Sequence, residues 1–136
     1  MAVINESLAL KQLQLFCYTG SNGGMWDITS GHVNDYPANT VGSSATAKTF
    51  GTWGATAIAV RTFATSTINT PHKQGFLAAV DAAAKALNNT RAVCRNCYVA
   101  PAIASATASG ALADAWESSR NGRWRDRSES ATVKLL

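Results

Sequence analysis

The chain has 136 residues, 46% of them hydrophobic and 15% charged, with 10 Gly and only 3 Pro. Such a composition excludes a disordered chain, and at this length one core removes roughly two thirds of the unfolded surface from water, so neither disulfides nor a metal are needed for folding. The formal net charge of +4 is mild beside a dedicated nucleic-acid binder and still favours an anionic partner.

One domain spanning residues 1–136 is expected. Apolar stretches such as residues 55–60 are far shorter than the roughly 20 residues a bilayer requires. The start Met1-Ala2-Val3-Ile4-Asn5-Glu6 has no basic n-region. The expectation is a soluble protein in a cytoplasm, with no membrane partner.

Cys17, Cys94 and Cys97 make an odd number, which argues for reduced thiols. The Cys94-Arg95-Asn96-Cys97 spacing suits redox chemistry or half a zinc site, but a zinc would need two more ligands and the chain offers only Cys17, His32 and His72 at scattered positions. The competing reading makes both cysteines small hydrophobes along a packed segment. No metal or cofactor is expected.

Charge is uneven along the chain. Through Ile68, Lys11, Lys48 and Arg61 balance Glu6, Asp27 and Asp35; from Asn69 onward nine Lys and Arg face five Asp and Glu. Six of those nine are Arg91, Arg95, Arg120, Arg123, Arg125 and Arg127. Arginine's planar fork matches a phosphate better than lysine's point charge does.

In chain order, residues 8–18 alternate in their second half, with Leu13, Leu15 and Cys17 opposite Gln12, Gln14, Phe16 and Tyr18, and predict a strand from about Lys11. Gly20-Ser21-Asn22-Gly23-Gly24 predicts a turn, with residues 25–28 returning as a short strand. Residues 29–47, rich in Ser, Thr, Asn, Gly and Pro, read as an irregular surface connection. Residues 48–53 and 55–67 predict two further strands, the second rich in Thr, Ile, Val and Phe. Its Arg61 and Phe63 share a face that can pair with a phosphate and stack on a base, or stand as an ordinary solvated face.

A helix then follows, with Thr70 as N-cap, Pro71 at its first position and Phe76, Val80, Ala84 and Leu87 on one stripe. Asp81 and Lys85 pair at i,i+4, and Asn88-Asn89 stops the helix. Residues 91–99 read as a strand. A last helix is expected over about 108–120, with Leu112, Ala115, Trp116 and Ser119 on one stripe, ending near Asn121-Gly122. Few large aliphatics and many Ala, Thr and Ser leave little buried area per residue, which predicts a homo-oligomer, a dimer or larger.

Catalytic parts are sparse. His32 and His72 belong to no nucleophile or two-histidine metal motif, and the eight carboxylates form no local acid and base pair. Gly20–Gly24 lacks the lysine and hydroxyl of a phosphate loop. The expectation is a protein that is not an enzyme.

Asn89-Thr90-Arg91 followed by Arg95 is the strongest constellation. Four residues apart, Arg91 and Arg95 share a side in a helix or a strand and can address one anion. Asn89 and Thr90 add neutral donors and acceptors, and Phe16, Tyr18, Trp53 or Phe63 can stack on a base. The plainer alternative makes these arginines solvated rims or partners of Glu117 and Asp114. A second basic group, Arg120-Asn121-Gly122-Arg123-Trp124-Arg125-Asp126-Arg127, interleaves a tryptophan with arginines and fits RNA, DNA or nucleotide phosphates, or else a solvated helix end with an oligomer contact.

The run Leu10-Lys11-Gln12-Leu13-Gln14-Leu15-Phe16-Cys17-Tyr18, with Asn89-Thr90-Arg91 and Arg95-Asn96-Cys97-Tyr98, resembles a family of small bacteriophage proteins that counter the Thoeris immune system. The resemblance covers the first strand and the segment after the main helix. It implies a sponge that sequesters cyclic ADP-ribose isomers, and in some members cyclic oligonucleotides, without cleaving them in the infected host cell. It also implies a small antiparallel sheet decorated by helices, here the two main ones, in a single α+β domain whose pockets lie at subunit interfaces. Arg91 and Arg95 would read phosphates there, with Arg61, Phe16, Arg123 and Arg127 as further candidates. The alternative is a viral structural protein, a capsid or filament subunit whose arginines contact packaged nucleic acid.

Overall fold

The computed structural model describes residues 16–41, 44–66 and 71–136. The chain divides after Ala47 into two compact units. The fold is mostly helical, with seven helices and one two-stranded antiparallel sheet among the described residues. The α+β character holds, but two main helices is too few, and the expected strands at 48–53, 55–67 and 91–99 are replaced by helix over 48–53, 55–64 and 91–97, with Thr65-Ser66 and Tyr98-Val99 forming turns and bends. The part of the expected first strand before Phe16, and Thr70 as a cap, lie outside the described residues.

The first unit holds the hairpin of β1 (Cys17–Thr19) and β2 (Met25–Asp27), in the register Cys17↔Asp27, Tyr18↔Trp26, Thr19↔Met25. Its turn closes through Gly20 N–H to Gly24 O at 2.8 Å and Gly23 N–H to Gly20 O at 3.0 Å, with Gly23 at φ 75°. The glycine cluster thus supplies the positive φ that a tight turn requires. Ile28 N–H to Phe16 O extends the ladder and puts Phe16, Tyr18, Trp26 and Ile28 on one exposed face.

Helix α1 (Ser30–Val41) occupies the segment expected to be irregular. Its start explains the discrepancy. Thr29 Oγ1 accepts the N–H of His32 while His32 Nδ1 accepts the N–H of Thr29, a reciprocal cap that stands in for a hydrophobic stripe. His32 is therefore a capping group at this position.

The second unit is built from α2 (Ala47–Ala64), α3 (His72–Ala86), α4 (Arg91–Cys97), α5 (Pro101–Ser109), α6 (Ala111–Glu117) and α7 (Arg127–Leu135), with only the first residue of α2 assigned to the other unit. Eight of its fourteen core residues are alanine, joined by Val60, Val80, Cys94, Val99, Ile103 and Leu112. Such small side chains let helices approach closely, and Gly75 shows how closely: a Cβ there would meet the Phe63 ring at 3.2 Å. The β-branched run of α2 became a helix because Ala55, Thr56, Ala59 and Val60 form one buried stripe at helical spacing. Its threonines satisfy their hydroxyls on the preceding turn, Thr56 on Thr52 O at 2.7 Å and Thr62 on Ile58 O at 2.8 Å.

Helix α3 ends as its sequence predicts. Asn88 takes φ 52°, its N–H reaches Lys85 O at 3.2 Å and the N–H of Asn89 reaches Ala84 O at 2.8 Å, the double closure of a Schellman motif. Thr90 then caps α4 by accepting the N–H of Val93 at 3.3 Å, so residues 91–97 are helix instead of strand. The helix expected over about 108–120 is α6, which starts after Gly110 at φ 85° and ends at Glu117; α5 before it and α7 after it are helices the sequence did not announce. Among the described residues no helix is long and apolar enough to cross a membrane.

Candidate functional site

The loop between α6 and α7 is assembled from helix-end chemistry. The last carbonyls of α6 carry the negative end of the helix dipole and attract cations, even where Asp114 O and Trp116 O also accept the N–H of Ser118 and Ser119. Arg127 donates its Nε and Nη2 to Trp116 O at 3.0 and 2.9 Å, with its guanidinium 4.3 Å from the Trp116 ring centroid and 3.6 Å from Glu117 Oε1. Arg120 donates to the carbonyls of Glu117 and Ser119, and Lys134 Nζ to Ser118 O and Oγ, each at 2.8 Å. Three cations from the loop and from α7 thus close one helix end.

The start of α7 is equally determined. Asp126 Oδ1 accepts the N–H of Glu129 at 2.9 Å, and Glu129 Oε2 accepts the N–H of Asp126 at 3.0 Å, which is a complete capping box. The Ser128 hydroxyl, first, and then the Glu129 N–H hold the Asp126 carboxyl below its usual value, with a smaller electrostatic contribution from Arg61. Asn121 Oδ1 accepts the N–H of Arg127 at 2.8 Å, and Gly122 N–H donates to Arg125 O at 2.7 Å.

Between these pins the tip Arg123-Trp124-Arg125 faces solvent. Trp124 is 82% exposed, and the Arg123 guanidinium lies 4.7 Å from its ring centroid. Residues 121–126 line an open recess of about 460 Å³. Among the described residues neither Arg123 nor Arg125 is in an ion pair. An exposed indole between two such arginines can stack on a base while the guanidinium groups pair with phosphates.

The other expected residues are distributed elsewhere. Arg91 and Arg95 do share a side of α4, facing α3, but they are differently engaged. Arg91 forms a bidentate pair with Asp81, which lowers the Asp81 pKa, chiefly through the hydrogen bond, and raises that of Arg91. Arg91 therefore takes the carboxylate that the sequence assigned to Lys85. Arg95 lies 5.9 Å from the Phe76 ring centroid at a separate recess. Asn89 serves the α3 stop through its backbone N–H and Thr90 serves as a cap. Phe16 stands on the hairpin of the first unit, and Arg61, in the last turn of α2, acts on Asp126.

The two cysteines of the Cys-x-x-Cys run differ: Cys94 is fully buried in the core, where burial pushes its thiol pKa up, and Cys97 is exposed. Among the described residues no three His, Cys, Asp or Glu side chains gather where they could hold a metal. Arg120, Trp124 and Arg125 belong to the second basic run read from the sequence, whereas Lys134, which joins Arg120 and Arg127 at the end of α6, is not among its candidates. The Asp126-x-x-Glu129 spacing was the available signal, since it marks where α7 starts and so where the loop ends. What the site defines is a cationic aromatic surface on a helical unit. No protein-family model matches the chain, and no curated protein matches it.

Proposed function

We propose that the chain binds nucleotide phosphodiesters at the Arg123-Trp124-Arg125 loop without converting them. The observation that carries this reading is an 82% exposed tryptophan beside the Arg123 guanidinium, on a loop whose base is pinned at Asn121, Gly122 and Arg127. Phosphates would take the charge of Arg123 and Arg125, and a base would stack on the free indole face. Because the recess is open, the favoured ligand is a strand of nucleic acid, whose remaining surface stays in water.

Capture of a cyclic nucleotide messenger, as the resemblance to anti-Thoeris sponges implies, is the second reading. The 460 Å³ recess lies within the range of nucleotide-sized pockets, and enclosure would come from a second copy of the chain in a homo-oligomer. In that form the protein acts inside an infected cell.

The test is fluorescence anisotropy with a labelled single-stranded oligonucleotide, beside native mass spectrometry with cyclic ADP-ribose isomers and cyclic dinucleotides. Trp124→Ala should weaken the bound ligand by about 1–3 kcal/mol, and Arg125→Ala should lower the salt slope by about one. Oligonucleotide binding unchanged by both variants removes the site. Retention of an intact cyclic nucleotide by a discrete oligomer selects the second reading, and a chemically altered nucleotide overturns binding without conversion.

A further inference from the structure

The second recess lies where α3, α4 and α5 meet, and its volume is about 190 Å³. Val99, Ala100, Pro101 and Ala104 give it an apolar floor, Phe76 forms part of its wall, Arg95 brings the charge and Asn96 adds one neutral amide. The Arg95 guanidinium sits 5.9 Å from the Phe76 ring centroid, and among the described residues it has no carboxylate partner. Its neighbour one turn earlier, Arg91, is neutralised by Asp81. The recess therefore joins one uncompensated planar cation to a cleft that is apolar except for Asn96.

Size and chemistry together narrow the occupant. A dry apolar cavity of about 150 Å³ accepts benzene, whereas nucleotide-sized ligands need about 300 Å³ or more. At 190 Å³ there is room for one six-membered ring and a small charged group. A guanidinium lying on an aromatic face keeps its edge available, and that edge matches the two oxygens of a carboxylate in plane.

We propose that the recess between Phe76, Arg95 and Pro101 binds small monocarboxylates with a flat apolar body, of the size of benzoate. The ring lies on the apolar lining and the carboxylate pairs with Arg95. This site is separate from the Arg123-Trp124-Arg125 loop and asks for a different ligand, so either can fail alone.

The experiment is a two-dimensional amide NMR titration of the full chain with benzoate, with acetate and benzyl alcohol as partial ligands. The expected result is saturable benzoate shifts at Phe76, Ala100 and Ala104, with each partial ligand at least about tenfold weaker. Arg95→Met keeps the apolar stem and should weaken benzoate at least about tenfold while benzyl alcohol binds as before. Ala104→Leu, an exposed helical position, should fill the recess and abolish the shifts with the remaining spectrum unchanged. Equal benzoate affinity in Arg95→Met, shifts that grow linearly without saturation, or shifts confined to Arg123, Trp124 and Arg125 would each overturn the proposal.

Discussion

The indole N–H of Trp53 donates to Glu129 Oε1 at 3.2 Å across 76 residues of chain, while the other oxygen of that carboxylate accepts the N–H of Asp126 at 3.0 Å. One side chain thus caps α7 and ties it to α2. Glu129→Ala should destabilise the protein by about 1–2 kcal/mol, through the lost cap and the unpaired indole. Glu129→Gln, which can serve only one of the two donors as acceptor, should lie between. Urea unfolding followed by circular dichroism measures both, and a neutral Glu129→Ala would show that the link contributes nothing.

Thr56 is fully buried, and its Oγ1 accepts the N–H of Ala100 at 3.1 Å, fixing the α4–α5 junction on α2. Thr56→Val keeps the shape and removes the acceptor, so it should cost about 1–3 kcal/mol by leaving a polar group unsatisfied. Thr56→Ser should recover most of that loss. The comparison is made by thermal unfolding of the three chains, and equal melting temperatures would refute the assignment.

Two left-handed residues set helix ends in opposite chemical ways. A Cβ at Gly110, φ 85°, would touch nothing within 4 Å, so Gly110→Ala should cost only the backbone term, about 1–2 kcal/mol. Asn88 already carries a side chain at φ 52°; Asn88→Gly should be close to neutral and Asn88→Ala destabilising by about 1 kcal/mol. Chemical denaturation of the three variants gives the order, and a stabilising Gly110→Ala would contradict the left-handed break.

The acid limb of stability follows from Asp81 and Asp126, both held below the ordinary carboxylate value of 3.8, the first mainly by its hydrogen bond from Arg91 and the second mainly by that from Ser128. With folded values depressed, the unfolded chain takes up protons first. Their stabilisation is present above the ordinary value and is lost as pH falls through it towards the folded values. Melting temperature should therefore hold down to about pH 5 and drop below pH 4, less steeply in Asp81→Asn. Because Asp81 and Arg91 are both about half exposed, added salt should shrink the Asp81 contribution. An acid limb unchanged in Asp81→Asn would exclude that pair.

Local signals were legible where one short segment held all the partners. The glycine run made the hairpin turn, the Phe76 to Leu87 stripe marked α3, with Pro71 as its N-cap residue instead of its first helical position, and Asn88-Asn89 ended it. Leu112 and Ala115 do share the buried side of α6, and Ser119, two residues past its end, is buried as well. By contrast α1 is opened by a threonine and histidine cap that hydropathy does not register, and α7 by a capping box that its apolar end disguised.

By itself the sequence determined the turn, the helix-ending asparagine and the gathering of positive charge after Asn69, because the first two depend on residues within a few positions and the third on composition alone. Only the tertiary structure decided that the β-branched run of α2 is helical, since its intrinsic preference is weaker than the burial of Ala55, Ala59 and Val60 among other helices. It also decided which arginines stay available. Arg127 and Arg120 are drawn to the carbonyl end of α6 and Arg91 to Asp81, whereas Arg95, Arg123 and Arg125 are left without a carboxylate among the described residues. A cation's partner is settled by which helix end or carboxylate the folded chain brings beside it, and spacing along the sequence does not encode that distance.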